Sequence, residues 1–149
     1  MPTDDPQRAA ALIVDDDPWI RLLLTDILSV AGYVVQEASN GAAALRIAER
    51  EPPALVLLDL VMPEESGVSV LESLKGSPST SHVPVIVVSG QTDWLRAAAH
   101  QPDAVVEKPF ALSVLLAEVH RATRPPRAPT SRSAGTAALR DRGWMDRQD

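Results

Sequence analysis

The sequence predicts an α/β fold in which a five-stranded parallel sheet is covered by helices on both faces. Short apolar runs alternate along the chain with segments in which apolar residues recur at helical spacing. The runs at 11–14 and 55–58 are apolar throughout, which is typical of strands buried on both faces of a parallel sheet. Right-handed crossovers between successive strands then give a doubly wound sheet.

Five strands are expected, and each is followed by a helix. The strands are predicted at residues 11–14, 33–37, 55–58, 83–88 and 104–106. The helices are predicted at about 18–30, 41–50, 68–74, 93–99 and 112–122. Pro18 suits a first helical turn, Asn40 suits an N-cap, and Gly32 is placed to close the first helix.

The chain of 149 residues is expected to hold one domain. We place it at 10–123, after an N-terminal extension of residues 1–9 and before a Pro/Arg-rich flexible tail of residues 124–149. The tail has too little apolar surface to order itself, so disorder is the prediction there, and a helical turn at 137–144 on a partner is the less favoured alternative. No second, output domain is predicted, and direct transcriptional output by this chain is therefore not expected.

Charge is distributed unevenly along the chain. Residues 1–120 hold 7 Lys and Arg against 17 Asp and Glu, a balance of −10, whereas residues 121–149 hold 7 Arg against 3 Asp, a balance of +4; together these give the net charge of −6. An acidic body repels the phosphate backbone that supplies most non-specific affinity for nucleic acid. We therefore expect no nucleic-acid partner.

Cysteine is absent, which excludes disulfides, thiolate metal sites and a cysteine nucleophile. No apolar run approaches the roughly 18 residues that a membrane span needs. The N-terminus is acidic and polar rather than a basic segment leading into an apolar one. A cytoplasmic protein without a membrane partner is the expectation.

Acidic residues, one hydroxyl and one of the two lysines follow the predicted strands where these end. They are Asp15, Asp16 and Asp17 after the first strand, Asp59 after the third, Ser89 after the fourth and Lys108 after the fifth. In doubly wound sheets, ligands bind beyond the carboxyl ends of the strands. Helix capping explains Asp17. It does not explain Asp59, whose charge follows four apolar residues at a point where desolvation is costly.

The acids at this edge suit a hard divalent cation. Mg²⁺ prefers oxygen ligands and commonly uses one or two carboxylates together with phosphate oxygens. Asp15, Asp16 and Asp59 are suitable ligands, and a backbone carbonyl after Asp59 is a further candidate. Lys108 supplies a positive charge for an anion, and Ser89 supplies a hydroxyl donor. A carboxylate nucleophile, Mg²⁺, a lysine and a hydroxyl together indicate a phosphoryl-transfer site.

Residues 10–122 resemble the receiver domains of two-component response regulators. The similarity is carried by residues 12–18 (LIVDDDP), residues 57–63 (LLDLVMP) with Gly67, residues 85–90 (VIVVSG) and residues 108–110 (KPF). The resemblance implies a (βα)5, flavodoxin-like receiver fold of the single-domain type. It also implies that the domain acts as a switch and is no enzyme, since it catalyses only its own phosphorylation and dephosphorylation.

The resemblance assigns roles position by position. Asp59 would be the phosphoacceptor, served by a sensor histidine kinase or a histidine phosphotransfer protein, with an unknown downstream protein as output partner. Asp15, Asp16, Asp59 and the Val61 carbonyl would hold Mg²⁺, with Asp15 bound directly or through water. Ser89 would move to bind the phosphoryl group, Lys108 would pair with it, and the Lys108–Pro109 peptide would be cis.

Two departures from the family pattern concern the switch. The family places an aromatic residue three positions before the lysine, and here that position is Val105. The segment from Ser89 to Lys108 is also about one helical turn shorter than usual, so we expect the fourth helix or its loops to be reduced. Signalling should then rely less on an aromatic switch, and a monomer or weak dimer is expected.

Two alternatives stay open at this point. A pseudo-receiver would act by protein contact without phosphorylation, although the joint presence of Asp15, Asp16, Asp59, Ser89 and Lys108 argues against it. A phosphotransferase of the haloacid-dehalogenase type also uses an aspartyl phosphate and Mg²⁺, and residues 15–17 contain the Asp-x-Asp that it needs. No acidic pair follows Lys108 near a strand end and no cap domain is predicted, which disfavours that class.

Overall fold

Alternating strands and helices form one parallel sheet with helices on both faces. The structure is a computed structural model that describes residues 8–123. The predicted tail and most of the N-terminal extension lie outside the described residues, as does the helical turn predicted at 137–144. None of the helices within the described part of the chain has the length and apolar composition needed to cross a bilayer.

The elements follow the predicted order. The strands are β1 (Ala10–Val14), β2 (Val34–Ala38), β3 (Leu55–Leu58), β4 (Val85–Ser89) and β5 (Ala104–Glu107). The α-helices are α1 (Pro18–Val30), α2 (Gly41–Arg50), α3 (Gly67–Gly76) and α4 (Leu112–Thr123), and a 3₁₀ helix (Thr92–Ala97) lies between β4 and β5. The strand order is β2-β1-β3-β4-β5 and every pairing is parallel. The predicted five-stranded, doubly wound sheet is therefore confirmed.

Two strands begin later than the sequence predicts, for reasons of hydrogen bonding. Tyr33 donates its backbone N–H to the carbonyl of Leu28, so it completes the turn after α1 and β2 begins at Val34. Val83 donates its N–H to the carbonyl of Thr80 and is followed by a proline, which has no N–H to give to a ladder. β4 accordingly begins at Val85.

The short helix predicted at 93–99 is a 3₁₀ helix of six residues, Thr92–Ala97. A 3₁₀ helix rises about 2.0 Å per residue, against 1.5 Å in an α-helix, so it spans more distance with fewer residues. This suits the short connection expected between Ser89 and Lys108. Leu95 anchors the segment in the core, where it is 6% exposed.

Each face of the sheet carries its own hydrophobic core. Leu12, Val56 and Val85 face α2 and α3, whereas the alternate residues of the same strands face α1 and α4. On the second face, Leu24 and Leu28 of α1 are almost completely buried. Each such leucine contributes roughly 1.5–3 kcal/mol by leaving water. The two cores fix the sheet between helices and leave only its ends open for chemistry.

Side chains cap three of the helices at their N-termini. Asp17 accepts a hydrogen bond from the N–H of Trp19 at 2.9 Å, and Asn40 accepts one from Ala43 at 2.8 Å. Both caps were expected from the sequence. Ser66 caps α3 by accepting from the N–H of Val68 at 3.1 Å, which the sequence analysis did not predict.

Gly67 allows α3 to begin directly against the end of β3. Its N–H donates to the carbonyl of Leu60 at 2.8 Å. A Cβ at this position would lie 2.1 Å from the carbonyl oxygen of Asp59 and 2.6 Å from the Cα of Leu60. Both neighbours are backbone atoms and cannot rotate away. The glycine is thus required for the close approach between α3 and the residue that follows β3.

Gly67→Ala should lower the free energy of unfolding by roughly 1–3 kcal/mol, because the added methyl group forces backbone apart at Asp59. Urea unfolding monitored by circular dichroism measures this. Gly76→Ala, at the other end of the same helix, is the matched control, since its Cβ would meet only the ring of His100 at an ordinary 3.7 Å. Equal stability of the two variants would contradict the steric argument.

Candidate functional site

The carboxyl ends of four strands bring the predicted site residues to one edge of the sheet. Asp15 follows β1, Asp59 follows β3, Ser89 ends β4, and Lys108 follows β5. Backbone hydrogen bonds hold these ends in register. Asp59 donates its N–H to the carbonyl of Val14 at 2.9 Å, and Lys108 donates its own to the carbonyl of Ser89 at 3.0 Å.

Three carboxylates meet at this edge. Asp15, Asp16 and Asp59 each place one carboxylate oxygen within 4.8 Å of those of the other two. Asp15 is 2% exposed and Asp59 is 6% exposed, whereas Asp16 is the most accessible of the three. Grouped carboxylates with little access to water repel one another, so they need a nearby positive charge.

Lys108 supplies part of that charge. Its Nζ lies 2.9 Å from Oδ2 of Asp15 and 3.7 Å from Oδ2 of Asp59. The Lys108–Pro109 peptide is cis, as the family resemblance implied. Three carboxylates and one ammonium group leave the edge with a formal excess of two negative charges, which matches the charge of a divalent cation.

The pKa of Asp15 is raised above its ordinary value of 3.8, and desolvation by burial is the main cause. The hydrogen bond from the N–H of Asp17, at 2.9 Å, opposes this by stabilising the carboxylate. The ammonium group of Lys108 also lowers the pKa, and the neighbouring charge of Asp59 raises it. The effect of burial on the pKa therefore outweighs that of the hydrogen bonds from Asp17 and Lys108.

Ser89 is fully buried, and its hydroxyl is only partly used. Its Oγ accepts a hydrogen bond from the N–H of Gln91 at 3.1 Å. Among residues 8–123 the Ser89 hydroxyl has no hydrogen-bond acceptor, so its proton is available to a new one. Of the other predicted residues, Val61 and Val105 have exposed side chains, at 41% and 42%. The roles of the Val61 carbonyl as a ligand and of Val105 as a switch residue stay predictions.

Arg21 supports the site, although the sequence analysis did not single it out. Its Nη1 donates to the backbone carbonyl of Asp15 at 2.7 Å, and its Nε pairs with Glu37 at 3.1 Å. It thus ties the end of β1 to α1 and β2. The only signal in the sequence is its place one helical turn after Asp17, which is a weak one.

Two cavities lie at opposite ends of the sheet. One of about 470 Å³ opens beside Asp16 and is lined by residues that follow β2 and β3, among them Asn40 and Glu65. A larger one of about 950 Å³ lies at the amino ends of the strands, between Gly32 and Thr123, and contains none of the predicted site residues. The smaller cavity is the one that extends the acidic edge.

A family model described as the response regulator receiver domain matches residues 11–120. That match covers more than half of the chain and all the strand ends described above. The chain belongs to the response regulator receiver family. The receiver domain assignment agrees with the resemblance seen in the sequence and places the chain in two-component signalling.

Named relatives support this assignment. The transcriptional regulatory protein KdpE of Mycobacterium tuberculosis is 42% identical over 116 residues, which are 76% of this chain and 50% of KdpE. Among solved structures, a sensor protein from Polaromonas sp. JS666 is 30% identical with a TM-score of 0.72, over 78% of this chain and 96% of that one. A putative response regulator from Chloroflexus aurantiacus J-10-fl is 26% identical with a TM-score of 0.72, over 78% and 98%.

The receiver chain spans about half the length of KdpE. Receiver domains bind Mg²⁺ at an acidic site and interact with histidine kinases, and this chain has a cluster of the required kind in Asp15, Asp16 and Asp59.

Asp15→Asn should raise the melting temperature in EDTA at pH 7, because the amide keeps the size of the side chain and removes a buried charge. The raised pKa means that ionisation of Asp15 costs the folded state stability as pH rises through that pKa. The advantage of the variant should therefore be small below pH 3.8, the ordinary value, and grow towards pH 7.

Differential scanning fluorimetry across pH 3–7 measures both effects. Asp26→Asn, on the exposed face of α1, is the control and should follow the wild type at every pH. A variant less stable than the wild type at pH 7 would show that the pairing with Lys108 outweighs burial.

Proposed function

We propose that the chain accepts a phosphoryl group on Asp59 from a phosphohistidine and thereby changes which partner its surface binds. The observation that carries the proposal is the placement of Asp59. Asp59 is 6% exposed, and its carboxylate lies 3.7 Å from the ammonium group of Lys108 and is grouped with the carboxylates of Asp15 and Asp16. A nucleophile, a counter-charge and a set of oxygen ligands thus share one small site.

The residues at the edge fit a magnesium ion. Their donors are carboxylate oxygens, which Mg²⁺ prefers, and their excess of two negative charges suits a divalent cation. Asp15, Asp16 and Asp59 would hold the ion, with the Val61 carbonyl as a further ligand by resemblance to the family. When bound, Mg²⁺ would neutralise charge on the phosphoryl oxygens and on the acceptor carboxylate.

The chain's own residues account for the bonds that change. A carboxylate oxygen of Asp59 attacks phosphorus and forms a P–O bond while the P–N bond to the donor imidazole breaks. The bonding electron pair stays on the imidazole nitrogen, which takes up a proton. Hydrolysis is a separate step: a water oxygen attacks phosphorus, the P–O bond to Asp59 breaks with its electron pair returning to the carboxylate, and the protons of the water leave with inorganic phosphate or pass to solvent.

Lys108 and Ser89 would stabilise the transferred group. The ammonium group of Lys108 is a compact charge that can pass from the carboxylates to a phosphoryl oxygen nearby. The Ser89 hydroxyl would donate to another phosphoryl oxygen, because within the described part of the chain its Oγ only accepts, from Gln91. Hydrogen bonds to charged groups contribute about 1.5–3 kcal/mol each.

The proposed chemistry serves a switch rather than turnover of a separate substrate. The donor would be a histidine kinase or a histidine phosphotransfer protein, and the output would be a downstream protein. The acidic character of residues 1–120 argues against a nucleic-acid partner for this domain. Family membership disfavours the haloacid-dehalogenase alternative. A pseudo-receiver that acts by contact alone is the alternative that an experiment must separate.

Incubation with Mg²⁺ and phosphoramidate should add one phosphoryl group to the wild-type protein, because Asp59 then has both a donor and its counter-charges. Intact-mass spectrometry measures the adduct. The adduct should be absent without Mg²⁺ and absent from Asp59→Asn. Asp26→Asn, which changes an exposed carboxylate on α1, should be labelled like the wild type.

The outcomes separate the two readings of the site. Labelling of Asp59→Asn would place the phosphoryl group elsewhere and contradict the assignment. No labelling of the wild type, in a protein whose melting temperature still rises with Mg²⁺, would favour the pseudo-receiver.

Addition of Mg²⁺ and beryllium fluoride, a phosphoryl mimic, should move the methyl resonances of Val105 and Leu112 less than the amide resonance of Gly90. The reason is that Val105 is half-exposed and has no ring to swing inward with Ser89. Two-dimensional NMR measures the shifts, with Val105→Tyr as the comparison that restores an aromatic ring. Shifts at Val105 and Leu112 as large as that of Gly90 would contradict a reduced role for this position.

A further inference from the structure

A hydrogen bond beside the site joins the loop after β4 to the end of β5. The hydroxyl of Thr92 donates to Oε2 of Glu107 at 2.9 Å. Thr92 begins the 3₁₀ helix three residues after Ser89, and Glu107 directly precedes Lys108. Neither residue is among those proposed to act in phosphoryl transfer. Each is close in sequence to one that is, Thr92 to Ser89 and Glu107 to Lys108.

The contact closes a ring around the Ser89 loop. Ser89 and Glu107 are register partners in the pairing of β4 with β5. Lys108 donates its N–H to the carbonyl of Ser89 at 3.0 Å, and Gln91 donates its N–H to the hydroxyl of Ser89 at 3.1 Å. With Thr92 tied to Glu107, the loop leaves β4 at Ser89 and returns to β5 within four residues.

The other end of the 3₁₀ helix is anchored elsewhere. Ala99 donates its N–H to Glu72 of α3 at 2.7 Å, and the side chain of Gln101 donates to the carbonyl of Leu95 at 2.8 Å. Within residues 8–123, no side-chain hydrogen bond other than Thr92–Glu107 joins the 3₁₀ helix to β5. This bond is therefore the side-chain hydrogen bond that joins the start of the 3₁₀ helix to β5, in addition to the backbone contacts at Ser89 and Gln91.

The side of β5 that carries Glu107 also carries Val105. Residues of β5 alternate between buried and exposed, so Val105 and Glu107 point to the same side, where both are exposed. Val105 offers a small apolar surface and makes no hydrogen bond with its side chain. On this side of the strand, Glu107 is the residue whose side chain connects β5 to the loop after Ser89.

We propose that Thr92 and Glu107 are positioning residues whose hydrogen bond holds the Ser89 loop in its unphosphorylated arrangement, and that this bond is released when Ser89 binds the phosphoryl group. The inference rests on the proposed function of Asp59 as the acceptor. Because a bond present in one state alone shifts the equilibrium towards that state, removal of the bond favours the phosphoryl-bound state.

Thr92→Val tests this, because valine keeps the branched shape of threonine and loses only the hydroxyl. The apparent dissociation constant for beryllium fluoride in saturating Mg²⁺ is measured by titration of the amide resonance of Gly90. Thr92→Val should bind roughly 2- to 10-fold more tightly than the wild type, the range that one net hydrogen bond gives. Thr92→Ser, which retains a hydroxyl, should bind like the wild type.

A control lies at the amino ends of the strands, away from the site. Tyr33 donates its hydroxyl to Oγ1 of Thr123 at 3.2 Å. Tyr33→Phe also removes one hydroxyl donor and should leave the dissociation constant within about 1.5-fold of the wild type. A change as large as that of Thr92→Val would mean that general loosening, and not the Ser89 loop, is measured.

The single variants Thr92→Val and Glu107→Ala and the double variant Thr92→Val/Glu107→Ala form a double-mutant cycle. Because both single changes remove the same bond, the double variant should bind no more tightly than Glu107→Ala alone. Additive effects, or a Thr92→Val variant equal to the wild type, would overturn the proposal. Failure of the wild type itself to bind beryllium fluoride would instead count against the proposed function, so the two failures are distinguishable.

Discussion

The structure depends on the burial of two carboxylates at the end of a parallel sheet. Asp15 and Asp59 follow apolar strands whose other residues fill the two cores, so they cannot move into water without disturbing the strands. Burial raises the pKa of Asp15 even though Lys108 lies 2.9 Å away. The fold thus holds negatively charged carboxylates where they are poorly solvated. A bound cation would reduce the repulsion between these carboxylates.

Different elements hold the two sides of the acidic edge. Gly67 brings α3 against the backbone of Asp59, and Arg21 holds the carbonyl of Asp15, so the acceptor side is fixed. The segment that we propose to change position on phosphorylation begins at Ser89. It continues into a 3₁₀ helix instead of a longer α-helix. Val105 stands three positions before Lys108, and Thr92 donates a hydrogen bond to Glu107 on the same side of β5.

Apolar patterning made most of the fold predictable, because a parallel sheet requires continuous apolar strands and alternation with helices. The same topology brought Asp15, Asp59, Ser89 and Lys108 to one edge. The exact start of β2 and β4 was not predictable, since it depends on which partner the N–H groups of Tyr33 and Val83 find. Arg21 and the pair of Thr92 and Glu107 were missed for a related reason: their contacts depend on how far side chains reach in three dimensions.

The most direct test of this account is the melting temperature of the wild type as a function of Mg²⁺ concentration at pH 7, beside the Asp15→Asn/Asp16→Asn variant. An ion that binds only the folded state stabilises it by RT ln(1 + [L]/Kd), about 2.7 kcal/mol at 100 times Kd. The account predicts a rise in the wild type that continues with the logarithm of Mg²⁺ concentration and is lost in the double variant. A wild type that does not respond to Mg²⁺, or a double variant that responds equally, would contradict it.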